Sequence, residues 1–373
     1  MSDQTHEPPT VLTHLAELPG YAPVVPLAER ARAAGIDPAA ALKLDANENP
    51  FGMHPRVRAA LDEALSDPHF GSIYPDPNQT ALRTALADYT GVTPDRIIAG
   101  AGADELLDLT LRALLRPGQS VITAPPSFGM YPFLADLNLL RLVEITRGDQ
   151  FALLSEPLIR AASEHGGVVM LTSPNNPTGD LVPSDVLRDL LATGVVVMLD
   201  EAYIEFAAGD ASAVSMLDDY PRLIVLRTFS KWAGIAGLRV GYALAHPQLV
   251  EALIKVKQPY NINQAAEVAA LAALAHADEL RDQIATIRDC RQRLFQTLID
   301  LDGVAPLPSE SNFILLRVER GTGRQLHDRL AALGVFTRTY SDPLLERYLR
   351  ISVPRLDQLD SLVERLRLSL GHR

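Results

Sequence analysis

Short apolar runs alternate with amphipathic stretches along most of this chain. Ile97–Ala99, Ser120–Thr123, Leu140–Ile145, Val168–Thr172, Val195–Leu199, Leu223–Leu226 and Val240–Ala243 are brief and mostly apolar, and they predict strands. Between them, Thr80–Tyr89, Glu105–Leu115 and Pro183–Leu191 carry apolar positions at helical spacing. Such alternation predicts an α/β protein: a mostly parallel, seven-stranded sheet flanked by helices, occupying a large domain over residues 43–262. Residues 1–42 predict an arm with one short helix, Leu27–Gly35. Gln264–Leu301, rich in Ala, Leu, Arg and Gln, predicts one long helix or a broken pair. After Gly303 the rhythm changes. Phe313–Arg317 and Leu349–Val353 predict strands, and Arg324–Leu333 and Leu356–Leu370 predict helices. Residues 263–373, with the arm, therefore predict a smaller α/β domain. No internal repeat or low-complexity tract interrupts the pattern.

Composition narrows the functional classes. The 373 residues are 47% hydrophobic and 21% charged, enough apolar content for a large core. A net charge of −12 argues against a nucleic-acid surface. It leaves room for an anionic substrate, because a few buried arginines set a local potential of their own. The single cysteine, Cys290, allows no intrachain disulfide and fits a reducing, cytoplasmic setting. Met1–Pro9 lacks the apolar core of a secretory signal, and no apolar run approaches the ~20 residues of a membrane helix.

Chemistry concentrates where predicted strands end. Leu223–Leu226 runs into Arg227-Thr228-Phe229-Ser230-Lys231-Trp232, followed by Gly234, Gly237 and Arg239. A strand that opens into such a loop delivers Lys231 to the rim of a sheet, where open α/β folds bind ligands. Desolvation there lets a lysine lose its proton and attack an aldehyde. Thr228, Ser230 and Arg239 are suited to a phosphate. An aldehyde and a phosphate on one small molecule describe pyridoxal phosphate. The alternative for Lys231 is a solvated surface lysine.

Val196–Leu199 ends in Asp200, with Tyr203 three residues on. Asp200 is placed to pair with a protonated pyridine nitrogen and Tyr203 to reach the ring's phenolic oxygen; the alternative is an ordinary helix cap. Ser173-Pro174-Asn175-Asn176-Pro177-Thr178-Gly179 follows Val168–Thr172, so Asn176 is either a second contact to that oxygen or part of a plain turn. Ala99-Gly100-Ala101-Gly102-Ala103-Asp104-Glu105 joins a strand to a helix, whose first N–H groups suit an anion. Its spacing departs from the dinucleotide fingerprint, with Glu105 in place of the third glycine, which disfavours a nicotinamide dehydrogenase. Phe128, in Pro125-Pro126-Ser127-Phe128, either stacks on a flat ring or sits in the core. Arg350 lies among apolar strand residues, so it faces a substrate anion or a structural partner. Arg338, in Phe336-Thr337-Arg338, is a second such cation. The nine histidines lack paired metal spacing, and neither a Gly-x-Ser-x-Gly elbow nor a nucleotide P-loop is present.

Together these segments resemble the class I and II aminotransferases of the aspartate aminotransferase fold, and within them the histidinol-phosphate aminotransferases most. The resemblance runs from Leu44-Asp45-Ala46-Asn47-Glu48-Asn49-Pro50 through Tyr74-Pro75-Asp76-Pro77, Asn176-Pro177-Thr178-Gly179, Asp200-Glu201-Ala202-Tyr203 and Ser230-Lys231. It continues through Gly237-Leu238-Arg239 and Ser311-Asn312-Phe313 to Leu349-Arg350-Ile351-Ser352. It implies that Lys231 links covalently to pyridoxal 5′-phosphate, and that Ala103, Asp104, Thr228, Ser230 and Arg239 surround its phosphate. It also implies that Tyr74 reaches the phosphate of a neighbouring subunit, making a homodimer, and that Phe128 stacks on the ring. Arg338 and Arg350 would hold the substrate anion, with Asn47 beside them and Tyr21 closing from the arm. Two departures stand out: Pro19-Gly20-Tyr21-Ala22-Pro23 replaces the usual Tyr-x-Pro-Gly, and Pro354 stands where a glycine is usual. The implied reaction converts histidinol phosphate and 2-oxoglutarate to imidazole-acetol phosphate and glutamate, a step of histidine biosynthesis. Alternatives on the same scaffold are an aromatic amino-acid aminotransferase and a phosphothreonine decarboxylase. A regulator that binds the cofactor without turnover is the non-enzymatic one.

Overall fold

The computed structural model describes residues 10–18, 20 and 25–371. Its strands in chain order are β1 (Leu42–Lys43), β2 (Ile97–Gly100), β3 (Ser120–Thr123), β4 (Arg141–Glu144), β5 (Val168–Thr172) and β6 (Val196–Asp200). They continue with β7 (Leu223–Thr228), β8 (Gly241–Leu244), β9 (Val304–Pro306), β10 (Phe313–Val318), β11 (Val335–Phe336) and β12 (Tyr348–Ser352). Seven of them form one sheet in the order β2-β8-β7-β6-β5-β3-β4. Neighbours from β4 to β7 run parallel, and β8 is antiparallel to both β2 and β7. The expected fold class is the one observed.

Every residue of β5 and β7 is buried. Successive side chains point to opposite faces. Val169, Leu171, Val197 and Val225 enter one core, and Val168, Met170, Met198 and Ile224 enter the other. Helices cover both faces, which is why these strands read as continuous apolar runs rather than as alternating ones. The edge strand β4 is shorter than the apolar run that predicted it, and Arg141 and Glu144 at its ends are exposed.

Some elements differ from expectation. The stretch 264–301 is the broken pair: Gln264–Ala275 and Ala277–Ile299 meet at His276, whose φ of −115° and ψ of 29° leave the helical region. The helix expected from Glu105 starts at Ala103, because Gly102 at φ 88° turns the chain into it. Helices Pro55–Ala64 and Pro247–Val256 lay outside the sequence reading. Each begins with proline behind a histidine whose ring accepts a backbone N–H, a start signal that periodicity alone overlooks.

A second sheet has the order β12-β10-β9, all antiparallel, with Leu315 opposite Arg350. Strand β1 pairs in parallel with β11, Leu42 facing Val335. Ser352 N then donates to the Leu44 carbonyl (2.9 Å). The segment after β1 therefore leaves the smaller sheet and crosses to the C-terminal ends of the parallel strands. Those ends, together with the end of β2, form one rim.

Candidate active site

Strand ends put the chemistry in one place. Asp200 is the last residue of β6, Lys231 follows the end of β7, Asn176 follows β5 and Phe128 follows β3. Two adjoining cavities, of about 880 and about 210 Å³, share Ala46, Phe128, Asn176, Tyr203 and Lys231 as a common wall.

The Nζ of Lys231 donates to the Ala46 carbonyl (3.0 Å) and lies 5.8 Å from the centre of the Tyr203 ring. Burial, then the nearby Arg350 guanidinium, lower its pKa to about 8. Asp200 is 4% exposed. One carboxylate oxygen accepts the Ala202 N–H (3.0 Å) and the other the Tyr131 hydroxyl (3.3 Å). Burial is the main cause that raises its pKa to about 7. Among the described residues no cation pairs with it, so this carboxylate is costly to ionise until a positive partner arrives. The Tyr203 hydroxyl accepts Asn47 Nδ2 (3.1 Å) and Asn176 Nδ2 (3.5 Å), and burial pushes its pKa up to about 12.

The smaller cavity is built for an anion. Its floor is the start of helix Ala103–Leu114, whose first N–H groups have no partner within the helix. Thr228 and Ser230 place their hydroxyls 2.9 Å apart, and Arg239 Nη1 reaches Ser230 Oγ (3.4 Å). Arg239 Nη2 donates to Asp104 (3.0 Å). Gly102 turns at φ 88°, a conformation that favours glycine, and a Cβ there would make the Arg239 guanidinium shift, its Nη2 lying 2.5 Å away.

On the far side, Arg338 and Arg350 each donate a backbone N–H to the other's carbonyl (3.0 and 2.9 Å). Such a pair sends both side chains to the same face, and both line the larger cavity. Arg350 Nη1 donates to Asn176 Oδ1 (2.5 Å) and Nη2 to the Asp45 carbonyl (2.6 Å). Its Nε is buried without a partner among the described residues. Pro354 is buried and lines neither cavity.

Asn47, at φ 53°, is fixed from three sides. Its N–H donates to Ser352 Oγ (2.9 Å), that hydroxyl donates to Asn47 Oδ1 (2.9 Å), and Asn312 Nδ2 donates to its carbonyl (2.9 Å). Arg147 ties together the two loops that carry Phe128 and Asn176. Its Nε donates to the Ala124 carbonyl (3.2 Å), and its Nη1 bonds Asp180 (2.7 Å).

Of the expected residues, Lys231, Asp200, Tyr203, Asn176, Asn47, Phe128, Ala103, Asp104, Thr228, Ser230, Arg239, Arg338 and Arg350 all line these two cavities. Tyr74 lies elsewhere: it is 77% exposed and stacks on Tyr260 at 4.4 Å. Tyr21 falls outside the described residues. The sequence reading overlooked Tyr131, Ala46, Ser352 and Arg147. Tyr131 lies three residues past Phe128, and its buried position at the start of helix Met130–Leu137 was the available signal.

The profile of the family described as aminotransferase class I and II matches residues 39–366. The chain is 44% identical over 358 residues to the histidinol-phosphate aminotransferase of Roseiflexus castenholzii, covering 95% of this chain and 96% of that protein. It is 42% identical to the chloroplastic histidinol-phosphate aminotransferase 1 of Arabidopsis thaliana, covering 95% of this chain and 84% of that one. Among solved structures, histidinol-phosphate aminotransferase from Sinorhizobium meliloti in complex with pyridoxal-5′-phosphate superposes with a TM-score of 0.88. That pair is 31% identical, with 97% of each chain covered.

Proposed function

The chain belongs to the class I and II aminotransferases, and from that premise we propose that it transfers the amino group of histidinol phosphate to 2-oxoglutarate. The products are imidazole-acetol phosphate and glutamate, and the carrier is pyridoxal 5′-phosphate. The observation that carries the reading is the shared wall of the two cavities. A desolvated amine stands on it, with a buried carboxylate that lacks a cation and a helix-terminus anion cradle on the smaller side and two arginines on the larger.

The donor set fits the cofactor. Asp200 lacks a cation among the described residues, and a protonated ring nitrogen is one. The hydroxyls of Thr228 and Ser230, the Arg239 guanidinium and the N–H groups of Ala103 and Asp104 suit the phosphate. Phe128 suits the ring face, and Asn176 and Tyr203 suit the phenolic oxygen. When bound, pyridoxal 5′-phosphate supplies an aldehyde that condenses with amines and a ring that accepts the electrons released at substrate Cα. Lys231, with its pKa near 8, has an appreciable neutral fraction at mildly alkaline pH. It serves first as nucleophile and then as the base that moves the Cα proton, a role worth about 10²–10⁴-fold in rate. Asp200 holds positive charge on the ring. Arg350 and Arg338 bind the anion of each substrate in turn, with Asn47 beside them and Tyr21 assigned to close over it.

We assign residues 43–262 to cofactor binding, and the arm 1–42 with 263–373 to the smaller domain. The active unit is a homodimer in which Tyr74 serves the neighbouring subunit. No described helix is long and apolar enough to cross a membrane; we place the enzyme in the cytoplasm.

A half-reaction tests this reading. Purified protein loaded with cofactor is mixed with histidinol phosphate, phenylalanine or phosphothreonine, and the visible band and released CO₂ are followed. Rapid loss of the band with histidinol phosphate alone, without CO₂, is expected. Lys231→Ala is expected to lose turnover and the covalent label fixed by borohydride. Phenylalanine outrunning histidinol phosphate assigns the enzyme to aromatic amino acids instead, and CO₂ release from phosphothreonine makes it a decarboxylase.

A further inference from the structure

His327 is a cavity residue that the reaction as described above does not use. It lies on helix Gly323–Ala332, three residues after Arg324, so the two share a face. Both line the larger cavity, while Leu326 and Leu330 on the same helix are buried in the core. The ring is held in place. Its Nδ1 is 2.9 Å from the hydroxyl of Thr337, which is 3% exposed and makes no other side-chain hydrogen bond among the described residues. Nε2 has no partner among those residues, and it is not among the buried unpaired atoms. The half-buried side chain lines the cavity and keeps its remaining nitrogen without a protein partner among the described residues.

Arg324, Arg338 and Arg350 line the same cavity as the ring. Burial, and then Arg324, lower the pKa of the ring, with Arg30 acting the same way and Asp328 and Asp45 opposing. A neutral ring with Thr337 donating to Nδ1 carries its hydrogen on Nε2, as a donor. Asp45, whose charge the ring feels, also accepts Arg350 Nη2 through its carbonyl (2.6 Å). Asp45, His327 and Arg350 all line the larger cavity. Both Nη atoms of Arg350 already have protein partners. A carboxylate, with two oxygens, makes modest demands on what remains. A phosphate brings a third oxygen, which leaves room for a further donor beside Arg338 and Arg350.

We propose that His327 is a specificity residue, whose Nε2–H takes the third oxygen of a phosphate ester and so favours phosphorylated donors over carboxylates at the same arginine. This rests on the assignment of a phosphate-bearing amino donor.

Binding to the cofactor-loaded enzyme, measured by calorimetry with inorganic phosphate and with succinate, tests it in wild type, His327→Phe and His327→Gln. Thermal melting verifies that each variant is folded. His327→Phe is expected to weaken phosphate about tenfold, the worth of one hydrogen bond to a charged group, and to change succinate less than about twofold. His327→Gln, which keeps an N–H donor, is expected to recover part of the loss. Unchanged phosphate affinity in His327→Phe, equal weakening of both anions, or a wild type that takes succinate but not phosphate overturns the proposal. Steady-state rates with histidinol phosphate and 2-oxoglutarate separate the two layers. Phosphate binding that depends on His327 in an enzyme inert toward histidinol phosphate sinks the substrate assignment and keeps the subsite. Turnover with equal Michaelis constants in wild type and His327→Phe does the reverse.

Discussion

Asp200 shows how one side chain registers the presence of its partner. Its folded pKa is about 7, against the usual carboxylate value near 4. Between those values the folded, cofactor-free protein binds more protons than the unfolded chain. The contribution of this group is therefore fully present below about pH 4 and lost as pH rises through about 7. A cationic ring nitrogen reverses the sign by favouring the ionised carboxylate. The gain in melting temperature on adding cofactor is thus expected to widen between about pH 5 and about pH 8 in the wild type. In Asp200→Asn that pH dependence is expected to flatten, with transamination largely lost. Scanning fluorimetry on loaded and cofactor-free samples reads this directly, and a gain independent of pH in the wild type contradicts it. At the same scale, Lys231 needs no special neighbour to become nucleophilic, because loss of solvent is the leading cause of its lowered pKa.

At the scale of elements, the loops after the parallel strands carry the site and the strands only aim it. Gly102 connects β2 to the helix that forms the anion cradle. Its φ of 88° makes alanine unfavourable there, and a Cβ would displace the Arg239 guanidinium from the cradle. Gly102→Ala is expected to raise the cofactor dissociation constant about tenfold or more while Lys231 still takes the label at saturating cofactor. Equilibrium dialysis checks the first part and peptide mapping the second. These strand-end positions were legible in the sequence because each apolar run stops at a polar residue: Asp200 after Leu199, and Arg227 and Thr228 after Leu226, with Lys231 close behind. Other features were not. The Arg147 clamp joins loops whose meeting depends on strand order, which periodicity does not encode. Tyr131 reaches Asp200 only because its helix packs across the sheet. The two-residue strands β1 and β11 carry too few positions for any periodic signal. The helices at 55–64 and 247–256 were marked by their caps and went unread.

For the whole molecule, the segment 42–49 is what joins the two sheets around the site. It pairs with β11, supplies the Ala46 carbonyl to Lys231, and sends Asn49 Nδ2 to the Trp232 carbonyl (2.9 Å). A second feature points outward. Ile73, Tyr74 and Tyr260 are 62%, 77% and 46% exposed, and the two tyrosine rings stack in solution-facing positions. An apolar, aromatic cluster of this kind suits burial against another copy. Sedimentation is expected to give twice the 40.5 kDa chain mass, and Tyr260→Glu to shift it toward the single-chain value with loss of activity. A wild-type particle of one chain mass rules out the shared-site dimer.

The long reach of that early segment also sets a timetable. Residues 42–49 leave the ribosome well before β11 and β12, which hold them. Until the last strands emerge, Asp45 lacks Arg350 and Asn47 lacks Ser352, so the segment keeps only its contacts to the large sheet's loops and the lysine pocket lacks one wall. Vitamin capture is then one of the final events of biogenesis. Chains stalled before residue 335 are expected to be colourless and readily digested, however complete their large sheet.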